Sequence, residues 1–362
     1  MPREGGALRF LFVPASGPRG TGEYYRCLTL ARAIRRRCEK ADIHFLLNRH
    51  AVVERERDVA YHLLDDTPSR AAARVEECIG KIRPDLALFD CSGRVRHFRA
   101  VRALGGRVAW LGDRPGKRRR GFRPRVLRRI DLHVIADSGN PAPALGLAER
   151  TLNRLFGPVA VQFISTIVPE AGGALPNLPG EHRPTADAYA VFAPGGGGYR
   201  HRSRPVSEMF LDAAARFHDA TGLPVVVVMG PQYDGPVTHH PRVEVIRALP
   251  TAELASLLAH ARLAVIGGGS MLSAQALTVG VPAVLVAVGG NDQPARLERY
   301  DRLGIALTAG LDEETMSRAA ERLHSDPDLA ARLLENLPAS GIRNDAGELA
   351  QRLLALARTA RQ

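Results

Sequence analysis

The residues best suited to chemistry are glycines that follow apolar runs. Residues 263–270 read LAVIGGGS, an apolar run that ends in three glycines directly before a helical pattern. A strand that leads through glycine into a helix presents backbone N–H groups at the positive end of the helix dipole, where phosphate binds. Glycine suits this place because a Cβ would hold the anion away. The pattern predicts a diphosphate site at Gly268, Gly269 and Ser270, although glycine also occurs there merely to pack a helix on a sheet.

Two further loops extend this prediction. Residues 194–199 read PGGGGY after one apolar run, and residues 289–294 read GGNDQP after another. If these runs are strands of one parallel sheet, the loops converge on one pocket at its carboxyl edge. We therefore expect the backbone of Gly196, Gly197 and Gly198 to approach a ligand. In the other loop, Asn291, Asp292 and Gln293 could bind sugar hydroxyls, or could form an ordinary Asx turn.

Short apolar runs alternate with amphipathic stretches along the whole chain, and this alternation must position the loops. The predicted strands cover residues 8–13, 43–47, 85–90, 107–113, 132–136, 189–193, 224–229, 243–246, 263–266 and 283–288. The predicted helices cover residues 23–37, 75–82, 206–220, 251–261, 270–279 and 346–358. Strand and helix in alternation indicate the α/β class with parallel sheets covered by helices. We expect two doubly wound, Rossmann-like domains that face each other across a cleft.

A change in composition marks the expected domain boundary. Residues 168–187 contain four prolines among Gly, Asn and charged residues and lack periodicity, which is typical of a linker. The prediction is an N-terminal domain over residues 1–167 and a C-terminal domain over residues 188–342. A helix within residues 343–362 follows, which could cross back to the first domain.

The net charge of +12 comes almost entirely from Arg, because Lys occurs only at Lys40, Lys81 and Lys117. Aromatic residues make up 5% of the 362 residues, and no nucleic-acid reader motif is present. A basic nucleic-acid-binding protein is therefore disfavoured. One dense stretch runs from Lys117 to Arg129. It could be a solvated surface, a contact with an anionic membrane, or a seat for an acidic acceptor.

The four cysteines show neither CxxC nor zinc-ligand spacing. They are expected to be free thiols in a reducing compartment. No stretch approaches the roughly 20 apolar residues of a membrane helix, and the apolar residues near the N-terminus are too few for a secretion signal. We expect a cytoplasmic protein.

Two segments resemble the GT-B glycosyltransferase superfamily. Residues 268–282 (GGSMLSAQALTVGVP), together with Asn291, Asp292 and Gln293, are similar to its donor-binding region. Residues 20–31 (GTGEYYRCLTLA) resemble the first-helix motif of one branch. That branch includes the N-acetylglucosaminyltransferase of peptidoglycan lipid intermediates, and the nucleotide-sugar hydrolase of pseudaminic acid synthesis is also similar. The resemblance implies two Rossmann-like domains, with an acceptor near Gly20, Gly22 and Arg26.

The sequence departs from the family pattern at two positions. Glu23 stands where the family has a histidine that acts as general base. A carboxylate can take this role if burial raises its pKa, but Glu23 could also simply favour the first turn of its helix. Asp90, Asp113 and His97 are the reserve candidates. Gln275 replaces a glutamate that contacts the ribose of the donor, which leaves the base of the nucleotide open.

The resemblance implies transfer of a sugar from a nucleoside diphosphate-sugar, expected to be a UDP-sugar, to an acceptor hydroxyl. The transfer would invert the anomeric centre and require neither metal nor cofactor. Glu23 would accept the proton of the hydroxyl, and the glycine loop would stabilise the departing diphosphate. The alternatives are a nucleotide-sugar hydrolase, a nucleotide-sugar epimerase and a non-catalytic sensor of nucleotide-sugars.

Overall fold

The computed structural model describes residues 6–17, 21–178, 185–237 and 240–361. They form two compact units. Unit 1 comprises residues 1–167 and 344–362, and unit 2 comprises residues 168–343. Each unit is built around one sheet whose strands all run parallel. Both are doubly wound α/β structures, as the sequence predicts.

Unit 1 contains a seven-stranded parallel sheet with helices on both faces. Its elements are β1 (Arg9–Pro14), α1 (Gly22–Arg37), β2 (Asp42–Asn48), β3 (Ala60–Leu64), α2 (Ala72–Ile82), β4 (Leu86–Asp90), α3 (Val95–Ala103), β5 (Arg107–Gly112), α4 (Pro115–Gly121), α5 (Pro124–Leu127), β6 (Leu132–Ala136), α6 (Leu147–Phe156) and β7 (Ala160–Ile164). The strand order is β3-β2-β1-β4-β5-β6-β7. The order reverses between β1 and β4, and such a switch point at the carboxyl edge is where ligands of this fold bind.

Unit 2 contains a six-stranded parallel sheet and a short antiparallel hairpin. Its elements are β8 (Ala190–Ala193), β9 (Arg200–His201), β10 (Arg204–Pro205), α7 (Val206–Thr221), β11 (Val225–Val228), β12 (Glu244–Ile246), α8 (Thr251–Ala259), β13 (Leu263–Gly267), α9 (Ser270–Val279), β14 (Ala283–Val286), α10 (Gln293–Arg302), β15 (Leu307–Ala309), α11 (Glu313–Ser325) and α12 (Pro327–Glu335). The strand order is β12-β11-β8-β13-β14-β15, with β9 and β10 apart from it.

The last helix, α13 (Ala346–Arg358), belongs to unit 1. Its buried face shares one apolar core with the buried face of α1. Within the segment predicted as a linker, residues 168–178 group with unit 2. There the N–H of Gly172 donates to Ser256 Oγ over 2.6 Å, and Leu178 is buried in the core.

The two faces of the sheet in unit 1 have separate cores, and this separation matters for the site. In β4, Leu88 packs toward α1 and α13, whereas Phe89 packs toward α2 and α3. Successive side chains of a strand point to opposite faces. Asp90, the last residue of β4, therefore points to the α1 face. All four cysteines are free thiols.

Candidate active site

The carboxyl edge of the sheet in unit 1 gathers charged side chains around Arg26. Arg26 lies one turn into α1, and its guanidinium donates to both carboxylate oxygens of Asp90, at 2.7 and 2.8 Å. The same group donates to Asp113 Oδ2 over 2.9 Å. Asp90 is fully buried, and Arg26 is nearly so. A bidentate guanidinium–carboxylate pair fixes both partners in one orientation.

Lys117 completes this network from α4. Its Nζ forms an ion pair with Asp113 Oδ1 at 2.8 Å. Burial alone would raise the pKa of Asp113, but Arg26 and Lys117 lower it to about 2. Asp113 is therefore ionised at neutral pH and is a poor proton acceptor. Asp90 is buried and accepts from Arg26 through both its oxygens, so the clamp leaves it poorly placed to contact a substrate.

Glu23, in contrast, makes no hydrogen bond or ion pair with another side chain in the part of the chain that the structure describes. It lies in the first turn of α1 and is largely shielded from solvent. Burial raises its pKa, and the negative charge of Asp90 raises it further. A carboxylate with a raised pKa and no cation clamped on it is suited to general-base chemistry.

The other predicted residues of unit 1 have different places. Gly22 is the first residue of α1 and has open space around its Cα, whereas Gly20 lies outside the described residues. His97 does not join the cluster, because it is buried on the opposite face of the sheet and stacks on Phe89. Burial lowers its pKa to about 4. As a reserve base, His97 is thus excluded by its position.

In unit 2, the three predicted loops lie at the carboxyl ends of adjacent strands. They follow β8, β13 and β14, which are neighbours in the sheet. A Cβ on Gly267 would lie 2.2 Å from the carbonyl oxygen of Pro194, so these two loops touch. The guanidinium of Arg296 in α10 donates to the carbonyl of Gly268 over 2.9 Å and pairs with Asp292. Arg296 therefore links the second loop to the third, a role that the sequence did not reveal.

The start of α9 offers free backbone donors, but not from every residue that the sequence predicted. The N–H of Gly268 donates to the carbonyl of Val286 over 2.7 Å, so it cannot bind a ligand. The N–H groups of Gly269, Ser270 and Met271 make no backbone hydrogen bond to any described residue. Gly269 and Ser270 are partly exposed, and the helix dipole is positive at this end. Gly269, Ser270 and Met271 therefore present free hydrogen-bond donors of the kind that suits an anion.

The glycines after β8 are required by packing. Gly197 has a φ of +80°, and a Cβ there would lie 2.6 Å from the carbonyl oxygen of Met229. Gln232, in the loop after β11, lies beside Gly196 and Gly198 and donates from its N–H to the carbonyl of Gly196 over 2.8 Å. This close approach of two loops accounts for the glycine run without a ligand.

The two predicted glutamines also have structural partners. Gln275 is buried, and its amide nitrogen donates to the carbonyl of Thr251 over 2.7 Å. A glutamate could not donate there, which gives a physical reason for glutamine at this position. Gln293 is buried too, and its amide oxygen accepts from the N–H of Val288 over 2.8 Å. That oxygen closes its own loop, whereas Asn291 and Asp292 are exposed.

Comparisons with known proteins bear on this arrangement. No family model matches the sequence. One relative is the UDP-N-acetylglucosamine--N-acetylmuramyl-(pentapeptide) pyrophosphoryl-undecaprenol N-acetylglucosamine transferase of Symbiobacterium thermophilum. The two sequences are 24% identical over 372 residues, and the match covers 95% of this chain and 96% of the relative. Among solved structures this chain is similar to the spinosyn forosaminyltransferase SpnP, with a TM-score of 0.65, 18% identity and coverage of 97% and 99%. It is also similar to the calicheamicin glycosyltransferase CalG4, with a TM-score of 0.59 and 19% identity, over 97% of this chain and 98% of CalG4.

The chain has the GT-B fold of these glycosyltransferases. Its two units have the doubly wound sheets of that fold, and the full-length relative is an enzyme of the glycosyltransferase type. Within the described residues, no helix has the length and apolarity of a membrane span, and no group of three or more His, Cys, Asp or Glu side chains is arranged to hold a metal ion.

Proposed function

We propose that the protein transfers a sugar from a UDP-sugar to an acceptor hydroxyl with inversion at the anomeric carbon. The observation that carries this proposal is the contrast between Glu23 and its neighbours. Asp90 and Asp113 are clamped by Arg26, whereas Glu23 has a raised pKa and no ion pair among the described residues. An unpaired, partly buried carboxylate at the switch point of the sheet is suited to accept the proton of a hydroxyl.

The donor would bind through unit 2. Its diphosphate would accept hydrogen bonds from the N–H groups at the start of α9, and its sugar would lie toward Asn291 and Asp292. The use of a UDP-sugar is supported by the relative from Symbiobacterium thermophilum, whose name specifies UDP-N-acetylglucosamine. The amide nitrogen of Gln275 in α9 donates to the carbonyl of Thr251 at the start of α8. Its amide oxygen would accept a hydrogen bond from the ribose.

In the reaction, the acceptor oxygen forms a bond to the anomeric carbon while the bond from that carbon to the diphosphate oxygen breaks. Glu23 takes the proton of the acceptor hydroxyl. The negative charge that develops on the departing diphosphate is stabilised by the dipole of α9 and its N–H groups. This stabilisation uses backbone groups already held in place by the sheet, so it requires no rearrangement when the charge appears.

A panel of UDP-sugars labelled in the sugar tests this function. The protein would be incubated with each donor, with and without hydroxyl acceptors from a cell extract. We expect labelled product and free UDP only when an acceptor is present. Free sugar released at a catalytic rate without acceptor would contradict transfer and establish hydrolysis, an alternative that the comparisons do not support. Interconversion of two UDP-sugars without release of UDP would establish an epimerase.

Contact with an anionic membrane through the stretch from Lys117 to Arg129 is part of the proposal. Arg118 is engaged by Glu149, and Lys117 by Asp113. Arg119, Arg123 and Arg125 are exposed and make no ion pair within the described parts of the chain. Each such cation near an anionic surface contributes about 1 kcal/mol. We expect the protein to co-sediment with vesicles containing 30% phosphatidylserine and not with neutral vesicles. If the same fraction of protein sediments with both kinds of vesicle, this membrane contact is contradicted.

A further inference from the structure

Tyr199 lies at the edge of the proposed donor site, and neither the glycine pattern nor the resemblance assigns it a role. It follows the glycine loop after β8, and 42% of it is exposed. A Cβ on Gly289 would lie 2.5 Å from Cδ1 of its ring, so the ring packs directly on the backbone of Gly289. Gly289 has a φ of +151°. Only glycine combines this backbone conformation with contact to the ring.

This contact crosses the end of a strand. Tyr199 follows β8 and Gly289 follows β14, and β13 lies between these two strands in the sheet. Strands two places apart are separated by roughly 10 Å. The ring therefore lies beside the turn from β13 into α9, where the N–H groups of Gly269 and Ser270 are free.

The hairpin that carries Tyr199 is held in place. Arg202 and Ser203 both have positive φ, at 46° and 70°, the conformation of a tight two-residue turn. Arg204 pairs with Asp212 of α7 and with Glu313 of α11. The carbonyl of Tyr199 accepts from the N–H of Val206 over 3.0 Å. These contacts anchor the hairpin to two helices, so the ring is presented in one place before any ligand arrives.

We propose that the exposed face of Tyr199 stacks on the hexose of the donor and selects sugars with an apolar face. The inference rests on the function proposed above. Gln275 bonds from α9 to the start of α8; with its amide oxygen on the ribose, as proposed above, the nucleoside lies on that side of the diphosphate. Tyr199 and Gly289 lie on the other side, toward β14, where the sugar must extend. A hexopyranose whose hydroxyls are equatorial presents axial C–H groups, and an aromatic ring buries such a surface well.

Calorimetric titration of the 362-residue protein with UDP and with UDP-N-acetylglucosamine tests the inference. The variants are Tyr199→Ala, Tyr199→Phe and, as a matched control in the same hairpin, His201→Ala. We expect Tyr199→Ala to weaken binding of the UDP-sugar about tenfold and to leave the Kd for UDP unchanged. Tyr199→Phe and His201→Ala should bind both ligands within twofold of the wild type. Tyr199→Leu, which preserves packing on Gly289, replaces the Ala variant if the latter unfolds, with the same expectation.

Two results would overturn the inference. Equal weakening of UDP and the UDP-sugar in Tyr199→Ala would place the ring against the nucleotide or show that it only supports the loop. Unchanged binding of both ligands would show that it touches neither. Failure of the wild type to bind either ligand would instead contradict the proposed function, and the inference with it, so the two failures are distinguishable.

Discussion

The carboxyl edges of the two sheets handle charge in opposite ways. In unit 1, five ionisable side chains from α1, β4, α4 and the position after β5 meet at the edge, and an arginine pairs with two of the three carboxylates. In unit 2, the corresponding edge is built from glycine and backbone amides, with Arg296 engaged by Gly268 and Asp292. The first edge can move a proton, whereas the second can hold an anion without an ion pair.

This difference matches the roles proposed for the two edges. A proton acceptor must change its charge during the reaction, so it must be a side chain with a tuned pKa. A diphosphate keeps a negative charge before and after the reaction, so fixed dipoles at a helix terminus suffice. Substitutions confined to one edge therefore test whether the two edges have these roles.

The largest effect is expected at Glu23. Glu23→Gln should lower kcat by about 10²- to 10⁴-fold, because the amide cannot accept the proton. Because its pKa is raised on folding, ionised Glu23 reduces stability above its unfolded pKa, so the Gln variant should be no less stable at pH 7. Steady-state kinetics and urea unfolding check both statements. The exposed Glu54→Gln is the control, and a Glu23→Gln variant with wild-type kcat would remove Glu23 as the base.

Removing the arginine clamp should act on stability. Arg26→Met leaves Asp90 buried without its partner, and breaking a buried ion pair from one side costs about 3–5 kcal/mol. Urea unfolding followed by the fluorescence of Trp110, the single tryptophan and a buried residue of unit 1, measures the loss. The matched control in unit 1 is Arg49→Met, which breaks an exposed pair with Asp65 and should cost under about 1 kcal/mol. Equal losses in the two variants would contradict the buried network.

Acid should destabilise unit 1 through its buried histidines. Burial lowers the pKa of His97 and of His133 to about 4, while the unfolded chain takes up these protons near pH 6.5. The unfolded state therefore binds more protons between these values, and stability falls as the pH decreases from about 6.5 to 4, by about 3 kcal/mol per histidine. His97→Phe should flatten this dependence, whereas the exposed His50→Phe should not. Urea titrations at pH 7 and 4.5 measure the free energy of unfolding of each variant. If His97→Phe loses as much stability between these pH values as the wild type, the prediction is wrong.

The sequence predicted the central elements of both sheets better than their edges. The predicted helices at residues 270–279 and 346–358 coincide with α9 and α13. The strands β3, β7 and β15 lie at sheet edges and escaped prediction because partly exposed residues interrupt their apolar pattern, whereas the edge strand β12 was predicted. Local pattern identifies a strand buried on both faces more reliably than one with a solvated side.

The sequence identified the candidate site residues but not their hydrogen-bond partners. Glu23 and Arg26 lie in the same turn of α1, so a short sequence motif contains both. The bonds from Arg26 to Asp90 and Asp113 join residues 64 and 87 positions apart, which only the strand order brings together. Conversely, Gln293 reads as a ligand contact, although its amide oxygen accepts from the backbone of its own loop. In Gln275 the amide nitrogen bonds to the backbone, so only the amide oxygen remains for a ligand. Sequence pattern does not distinguish an amide that faces a ligand from one that closes a loop.

The smallest structural change gives the most direct test of where the nucleotide binds. A Cβ on Gly269 meets no atom within 4 Å, so Gly269→Ala should change stability by less than about 1 kcal/mol. It would place a methyl group beside the free N–H groups at the start of α9. Calorimetric titration of this variant with UDP should then show a Kd raised about tenfold or more. The control is Gly22→Ala in unit 1, where a Cβ also meets no atom within 4 Å, and it should leave the Kd for UDP unchanged. Wild-type affinity for UDP in the Gly269→Ala variant would contradict the placement of the diphosphate on α9.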